Sequence, residues 1–286
     1  MRNKKATHGL MLVLLLIWTV DAVTVSTAVE SMSQIFLLCF KTLCSIPVLA
    51  VFVHLREGLR LPRKKDVPLL LLATVLGDVL YFFFEYTAYK YLPVAQVTVL
   101  LGFLPAASYL VDCCVRRTRP EPRILMVILL SIVGLVLAVW DGQGDGSVIG
   151  ILSCVLCVII WIAYGYVARA LDRSFSPEAI TLYESVGAVA LMLIPALLRR
   201  PAEIAAGDLW ISIIGMGILT TGFGYIIEVR GLIDLGTTVS GIYLNFLPVF
   251  TAIAGALVLH QHMTPLQLAG SGLVILCGLH VVRKTA

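Results

Sequence analysis

Ten apolar stretches follow one another with little between them, near residues 8–29, 34–55, 67–89, 93–115, 124–140, 147–168, 179–198, 208–229, 237–259 and 266–282. An α-helix needs about 20 such residues to cross ~30 Å of hydrocarbon. Lipid offers no partner to an unpaired backbone group, which leaves helices or closed barrels, and these stretches are too long for barrel strands. The spacing therefore predicts an all-α membrane protein of ten transmembrane helices. Only 13% of the residues are charged, against roughly 25% in a soluble domain, too few to cover a water-facing surface. Arg2, Lys4 and Lys5 before the first stretch resemble the start of a signal peptide. With Trp18 and Asp21 inside it and no convincing small-residue cleavage site, the stretch reads as a retained helix.

The distribution of charge sets the orientation. If the N-terminus is cytoplasmic, the outer segments hold only Lys90, Arg199 and Arg200, and Lys41 lies within a span. Every other Lys and Arg falls on the inner side, including the runs 56–65 and 116–123. The positive-inside bias thus predicts a multi-pass protein of the cell (inner) membrane with both termini cytoplasmic. It also accounts for the net charge of +4 without a nucleic-acid partner. All seven cysteines fall within predicted helices. Cys154 and Cys157 have metal-like spacing but no nearby His or second pair, so they read as small packing residues.

Sliding the chain against itself by 143 positions brings unusual residues into register. Ile17-Trp18 meets Ile160-Trp161, Glu85 meets Glu228, Leu92 meets Leu235, and Phe103-Leu104-Pro105 meets Phe246-Leu247-Pro248. Residues 1–143 and 144–286 are therefore read as two five-helix repeats. Five is odd, so the second repeat enters the membrane from the opposite side. Such inverted repeats place a solute site at their interface in many secondary transporters.

Several runs carry a family likeness: Leu244-Asn-Phe-Leu-Pro248-Val, then 257–270 (LVLHQHMTPLQLAG), then 273–278 (LVILCG), with a weaker counterpart in 88–95 and Phe103-Leu-Pro105. Over nearly its whole length the chain resembles EamA-type transporters of the drug/metabolite transporter superfamily. That resemblance implies ten helices and solute transport, and by analogy export. Where the family commonly has Glu before the last helix, this chain has Gln261 between His260 and His262. Thr19-Val20-Asp21 stands where Gly or Asn often follows the first-helix Trp, which suggests a specialised subgroup. The intramembrane Lys of nucleotide-sugar relatives is absent from the fourth and ninth helices, which argues against that substrate.

Ionisable residues inside a span cost roughly 2.5–3.5 kcal/mol at the helix centre, so each raises a functional question. At ~1.5 Å per residue, Asp21 and Lys41 reach similar depth on sequential antiparallel helices. They are expected to pair, either as a protonation-controlled latch or as a static pair. The repeat maps Lys41 to Glu184 and Asp21 to Tyr164, so Tyr164 is a candidate partner for Glu184. A buried carboxyl with no cation beside it is suited to binding a proton, although a snorkelling Glu fits as well. Glu85 and Glu228 are expected near opposite helix ends, as gates or as interfacial carboxylates. Trp18, Asp78, Tyr81, Gly102, Trp161, Tyr225, Tyr243 and Asn245 are expected near the midplane, as aromatic walls and polar groups for an organic solute or as packing residues. Pro105 and Pro248 are expected mid-helix, where each removes a backbone hydrogen bond and makes a hinge or a tolerated kink.

These readings converge on a secondary transporter of a small organic metabolite, an amino acid or related compound, working by alternating access with a proton as the coupling ion if there is one. Its partners are the solute and the lipid bilayer. Efflux of cationic drugs or polyamines is the alternative within transport. An embedded enzyme would need clustered nucleophile, base or metal ligands; the five histidines lie near helix ends or loops, and His260-Gln-His262 lacks a third metal ligand. A non-transporting scaffold is the remaining class. No phosphate-cradling loop is present, which argues against direct ATP use, and no cofactor or metal is expected.

Overall fold

The computed structural model describes residues 4–59, 61–139, 147–171, 174–200, 207–228, 243, 246–261 and 263–285, and these are helical with short connections. The helices are α1 (Lys4–Ser31), α2 (Gln34–Glu57), α3 (Val67–Ala73), π1 (Thr74–Tyr81), α4 (Phe82–Tyr91), α5 (Val94–Leu101), α6 (Leu104–Arg116), α7 (Pro122–Val139), α8 (Val148–Leu171), α9 (Pro177–Leu198), α10 (Gly207–Met216), π2 (Gly217–Gly224), α11 (Leu247–Val258) and α12 (Pro265–Thr285). Helix occurs in each of the ten predicted stretches. Among the described residues six helical segments are long and apolar enough to cross a membrane, and shorter apolar helices occupy the other four stretches.

Local chemistry sets the helix ends. Ser33 caps α2 by accepting from the Phe36 N–H at 3.3 Å, and Ser176 caps α9 by accepting from Ala179 N–H at 3.2 Å. Gly58, at φ 78°, closes α2 in a conformation that favours glycine. The helices are apolar all round: on α1, Met11, Leu14 and Leu15 are buried while Leu12, Leu16 and Val20 are exposed. A helix without a polar face belongs in lipid or in the core of a large assembly.

The repeat is visible in the backbone. π1 and π2 stand 143 residues apart at both ends. π-Helices are rare and concentrate at functional sites. A second matched device interrupts the fourth and ninth stretches. Phe103 N–H bonds to Leu100 O at 3.2 Å and Ala106 N–H to Phe103 O at 3.0 Å; their equivalents, Phe246 N–H to Tyr243 O and Val249 N–H to Phe246 O, measure 2.9 and 3.0 Å. Each tight turn starts a new helix, α6 or α11, with Pro105 or Pro248 in its first turn. The prolines therefore lie at helix starts, not mid-helix as expected. There the missing N–H has no intrahelical partner to lose.

Packing exchanges elements between the repeats. π2 lies on α1 and α2, while π1 lies on α8 and α9; α2 packs along α9, and α7 along α12. Small residues permit these approaches. A Cβ at Gly217 would collide with the Lys41 carbonyl oxygen and fall 2.6 Å from Cys44 Cβ, and a Cβ at Gly270 would fall 2.6 Å from Gly134 O. At the end of the bundle where α2 finishes and α9 begins, Arg56 pairs with the buried Glu178 and Ser176 donates to Glu57.

Candidate functional site: two mirrored junctions and a small cavity

The first junction is where α1, α2 and π2 meet. Lys41 Nζ donates to both Asp21 oxygens, at 2.6 and 2.7 Å, and Thr220 Oγ1 donates to Asp21 Oδ1 at 3.0 Å. Lys41 is buried, and its ammonium also stands 5.7 Å from the centre of the buried Tyr86 ring, within cation–π range. Depth counting along two antiparallel helices anticipated Asp21 and Lys41 as neighbours. Thr220 arrives from the other repeat, because Gly217 and Gly222 let π2 settle against Lys41, Cys44 and Val48.

The second junction is the 143-residue equivalent, where α8, α9 and π1 meet. Tyr164 donates to Glu184 Oε2 at 3.0 Å. A Cβ at Gly77 would fall 2.7 Å from the Tyr164 ring, and one at Gly187 would fall 3.0 Å from Thr74 Oγ1. The backbone approach thus matches that of the first junction, with Thr74 and Gly187 in place of Gly217 and Cys44. The side chains differ. Glu184 and Asp78 are buried in mutual electrostatic reach, and Glu184 Oε1 and Asp78 Oδ2 have no hydrogen-bond partner. Among the described residues no Lys, Arg or His forms a salt bridge with either carboxyl.

Aromatic side chains join the two junctions. Trp161 lies 4.6 Å from Tyr81 and 5.1 Å from Tyr164 between ring centres. Tyr81 donates to Glu85 at 3.5 Å. Glu85 is in electrostatic reach of Asp21 and Lys41, and Tyr225 is in reach of Asp78, Glu85, Glu228 and Tyr164. The two symmetry-related glutamates therefore approach the same tyrosine. Trp18 lies against Gly224, whose Cβ would stand 3.3 Å from the indole nitrogen, and Gly102 caps α5 at the helix break. Tyr243 is elsewhere: its hydroxyl is 2.7 Å from His8 Nδ1, beside the first turns of α1 and away from the expected midplane. Asn245 lies outside the described residues.

Other contacts were not anticipated from sequence. Thr98 and Thr251, both buried, bond to each other at 2.7 Å and tie α5 to α11, and Gln261 accepts from Val94 N–H at 3.2 Å. Between α6 and α8, beside Trp161, is a cavity of about 160 Å³ lined in part by Ser108, Asp112, Tyr166 and Arg169. Tyr166 donates to Asp112 at 2.5 Å, and its ring lies 5.2 Å from the Arg169 guanidinium. Asp112 falls inside the predicted span 93–115, so its intramembrane placement alone was a signal for it.

Intramembrane charges, unpartnered buried carboxyls and a helix break in each half, within an apolar helical bundle, define a multi-pass membrane protein that moves solutes. Comparison with known proteins gives the family. Residues 6–140 and 148–282 each match the EamA-like transporter family, and the chain belongs to it. It is a transporter and not an enzyme, and its partners are a small-molecule substrate and membrane lipid. An uncharacterized transporter of Archaeoglobus fulgidus is 22% identical over 289 residues, covering 96% of each chain. The threonine/homoserine exporter RhtA of Escherichia coli K12 is 25% identical over 225 residues, covering 76% of this chain and 71% of that protein. A solved crystal structure shares the fold, with a TM-score of 0.70 at 18% identity over 99% of both chains.

Proposed function

We propose that the chain is a secondary transporter of ten transmembrane helices in two inverted repeats, 1–143 and 144–286, that exports an amino acid or related small metabolite by alternating access. It resides in the cell (inner) membrane with both termini cytoplasmic, and protons are its coupling ion. The observation that carries this reading is the second junction. A buried carboxyl pair with unpartnered oxygens at Asp78 and Glu184 is a place where a proton can be taken up and released as access alternates. Glu85 and Glu228, around Tyr225, act as gates, and the helix breaks before Pro105 and Pro248 act as hinges. The likeness to RhtA supports an amino-acid substrate.

A cationic solute is the second reading, favoured by the excess of carboxyls over cations around Tyr225. Proteoliposomes loaded with a mixed metabolite pool, with and without an imposed pH gradient and read by mass spectrometry, separate the two. The proposal expects gradient-dependent flux of amino acids; flux restricted to polyamines or quaternary amines selects the second reading. Loss of no solute under any gradient contradicts transport by protons.

A further inference from the structure

We propose that the cavity between α6 and α8 is a recognition site for a zwitterion, with Asp112 receiving the ammonium group and Arg169 the carboxylate of a small α-amino acid. This rests on the transport reading and names the side chains that would select its substrate.

The cavity holds a carboxylate and a guanidinium that do not neutralise each other. Among the described residues they form no ion pair; the Tyr166 ring stands between them, its hydroxyl bonded to Asp112 and its face 5.2 Å from Arg169. Tyr166 thereby sets the separation of the two charges. Arg116, one turn beyond Asp112 on α6, is in electrostatic reach of Tyr166 but does not line the cavity. A ligand that carries both charges gives both walls a counter-charge at once, whereas an amine or an acid alone supplies one to only one of the partly exposed pair. Arg presents a planar fork that matches a carboxylate in two parallel hydrogen bonds. Ser108 adds a hydroxyl, and Leu104 and Trp161 supply apolar wall.

Size supports the same ligand. At about 160 Å³ the cavity is smaller than the roughly 300–1,000 Å³ of drug-sized ligand pockets. That favours a solute of a few heavy atoms over a bulky cation. Position gives the site a route to the second junction. Trp161 forms part of the cavity wall and also packs on Tyr164, which holds Glu184. A solute in the cavity therefore touches a side chain that is one ring away from the unpartnered carboxyls.

The test is ligand-induced thermal stabilisation of the purified full-length protein in detergent. The probes are L-alanine, L-threonine and L-leucine, each beside its methyl ester, which lacks the carboxylate, and its N-acetyl derivative, which lacks the ammonium. The expected result is a concentration-dependent rise in melting temperature with at least one free amino acid, and at least ten-fold weaker half-saturation for both of its derivatives. Arg169→Met should abolish discrimination against the ester, and Asp112→Asn discrimination against the N-acetyl form. Arg169→Lys, which keeps the charge, should retain part of it. Esters and N-acetyl forms that match the free amino acids would overturn the proposal, as would variants that keep full discrimination. If none of the free amino acids stabilises the protein while proteoliposomes still carry gradient-driven flux of another solute, this site assignment fails and the transport reading stands.

Discussion

The two junctions share a backbone plan and differ in how their polar groups are satisfied. At the first, Lys41 bonds both oxygens of Asp21, and Thr220 adds a further donor. At the second, Glu184 stands where the repeat places Lys41 and Tyr164 where it places Asp21, and two carboxyl oxygens have no partner. In both, a π-helix of one repeat is pressed against the helices of the other at matched small residues. A completed ion pair in low dielectric is a fixed joint, because opening it uncovers two charges. Carboxyls without a cation form a site that a proton or a ligand can complete. One geometry thus holds an ion pair at one junction and unpartnered carboxyls at the other, which we read as a clasp and a receptor.

The largest expected effect belongs to the clasp. Lys41→Met should destabilise the protein by about 3 kcal/mol, the lower end for breaking a buried pair, since it leaves a partly buried Asp21 without its cation. The double variant Asp21→Asn with Lys41→Met should recover most of that loss in thermal or denaturant unfolding in detergent. A double variant no more stable than the single would show that the pair is not a unit. Next is Gly217→Ala, expected to cost about 1–3 kcal/mol because the added methyl meets the Lys41 carbonyl. Gly77→Ala at the equivalent junction meets only a tyrosine ring and should cost less. Equal costs would remove this distinction between the two junctions.

At the receptor the expected stability effects are smaller. Tyr164→Phe removes one hydrogen bond, worth about 1 kcal/mol, and should weaken the response of flux to a pH gradient. Glu184→Gln should change stability least, by under about 1 kcal/mol, because the amide can keep the oxygen that Tyr164 bonds and replace the one that has no partner to lose. A loss as large as that of Lys41→Met would make Glu184 a second clasp.

Much of this was legible in sequence, for identifiable reasons. Span lengths follow from bilayer thickness, and the meeting of Asp21 with Lys41 follows from rise per residue on antiparallel neighbours. The partnership of Tyr164 with Glu184 came from applying the 143-residue offset to that pair. The π-helices were not legible, since TVLGDVLY and GILTTGFG carry no hydrophobic period that separates a π from an α backbone. Thr220 was missed because its contact with Asp21 spans 199 residues, and helical period does not report contacts between repeats. Pro105 and Pro248 were noticed but placed mid-helix, because an apolar run does not show where one helix ends and another starts. Asp112 was not singled out and Arg169 was counted only as an inner-side charge, and only the facing of α6 and α8 places them in one cavity.

The most direct measurement is gradient-driven amino-acid flux in proteoliposomes, comparing the wild type with Glu184→Gln under the same imposed pH difference and in its absence. The gradient should accelerate flux in the wild type, while the variant should run at one rate in both conditions. A variant that keeps the full acceleration would contradict the assignment of proton coupling to the second junction.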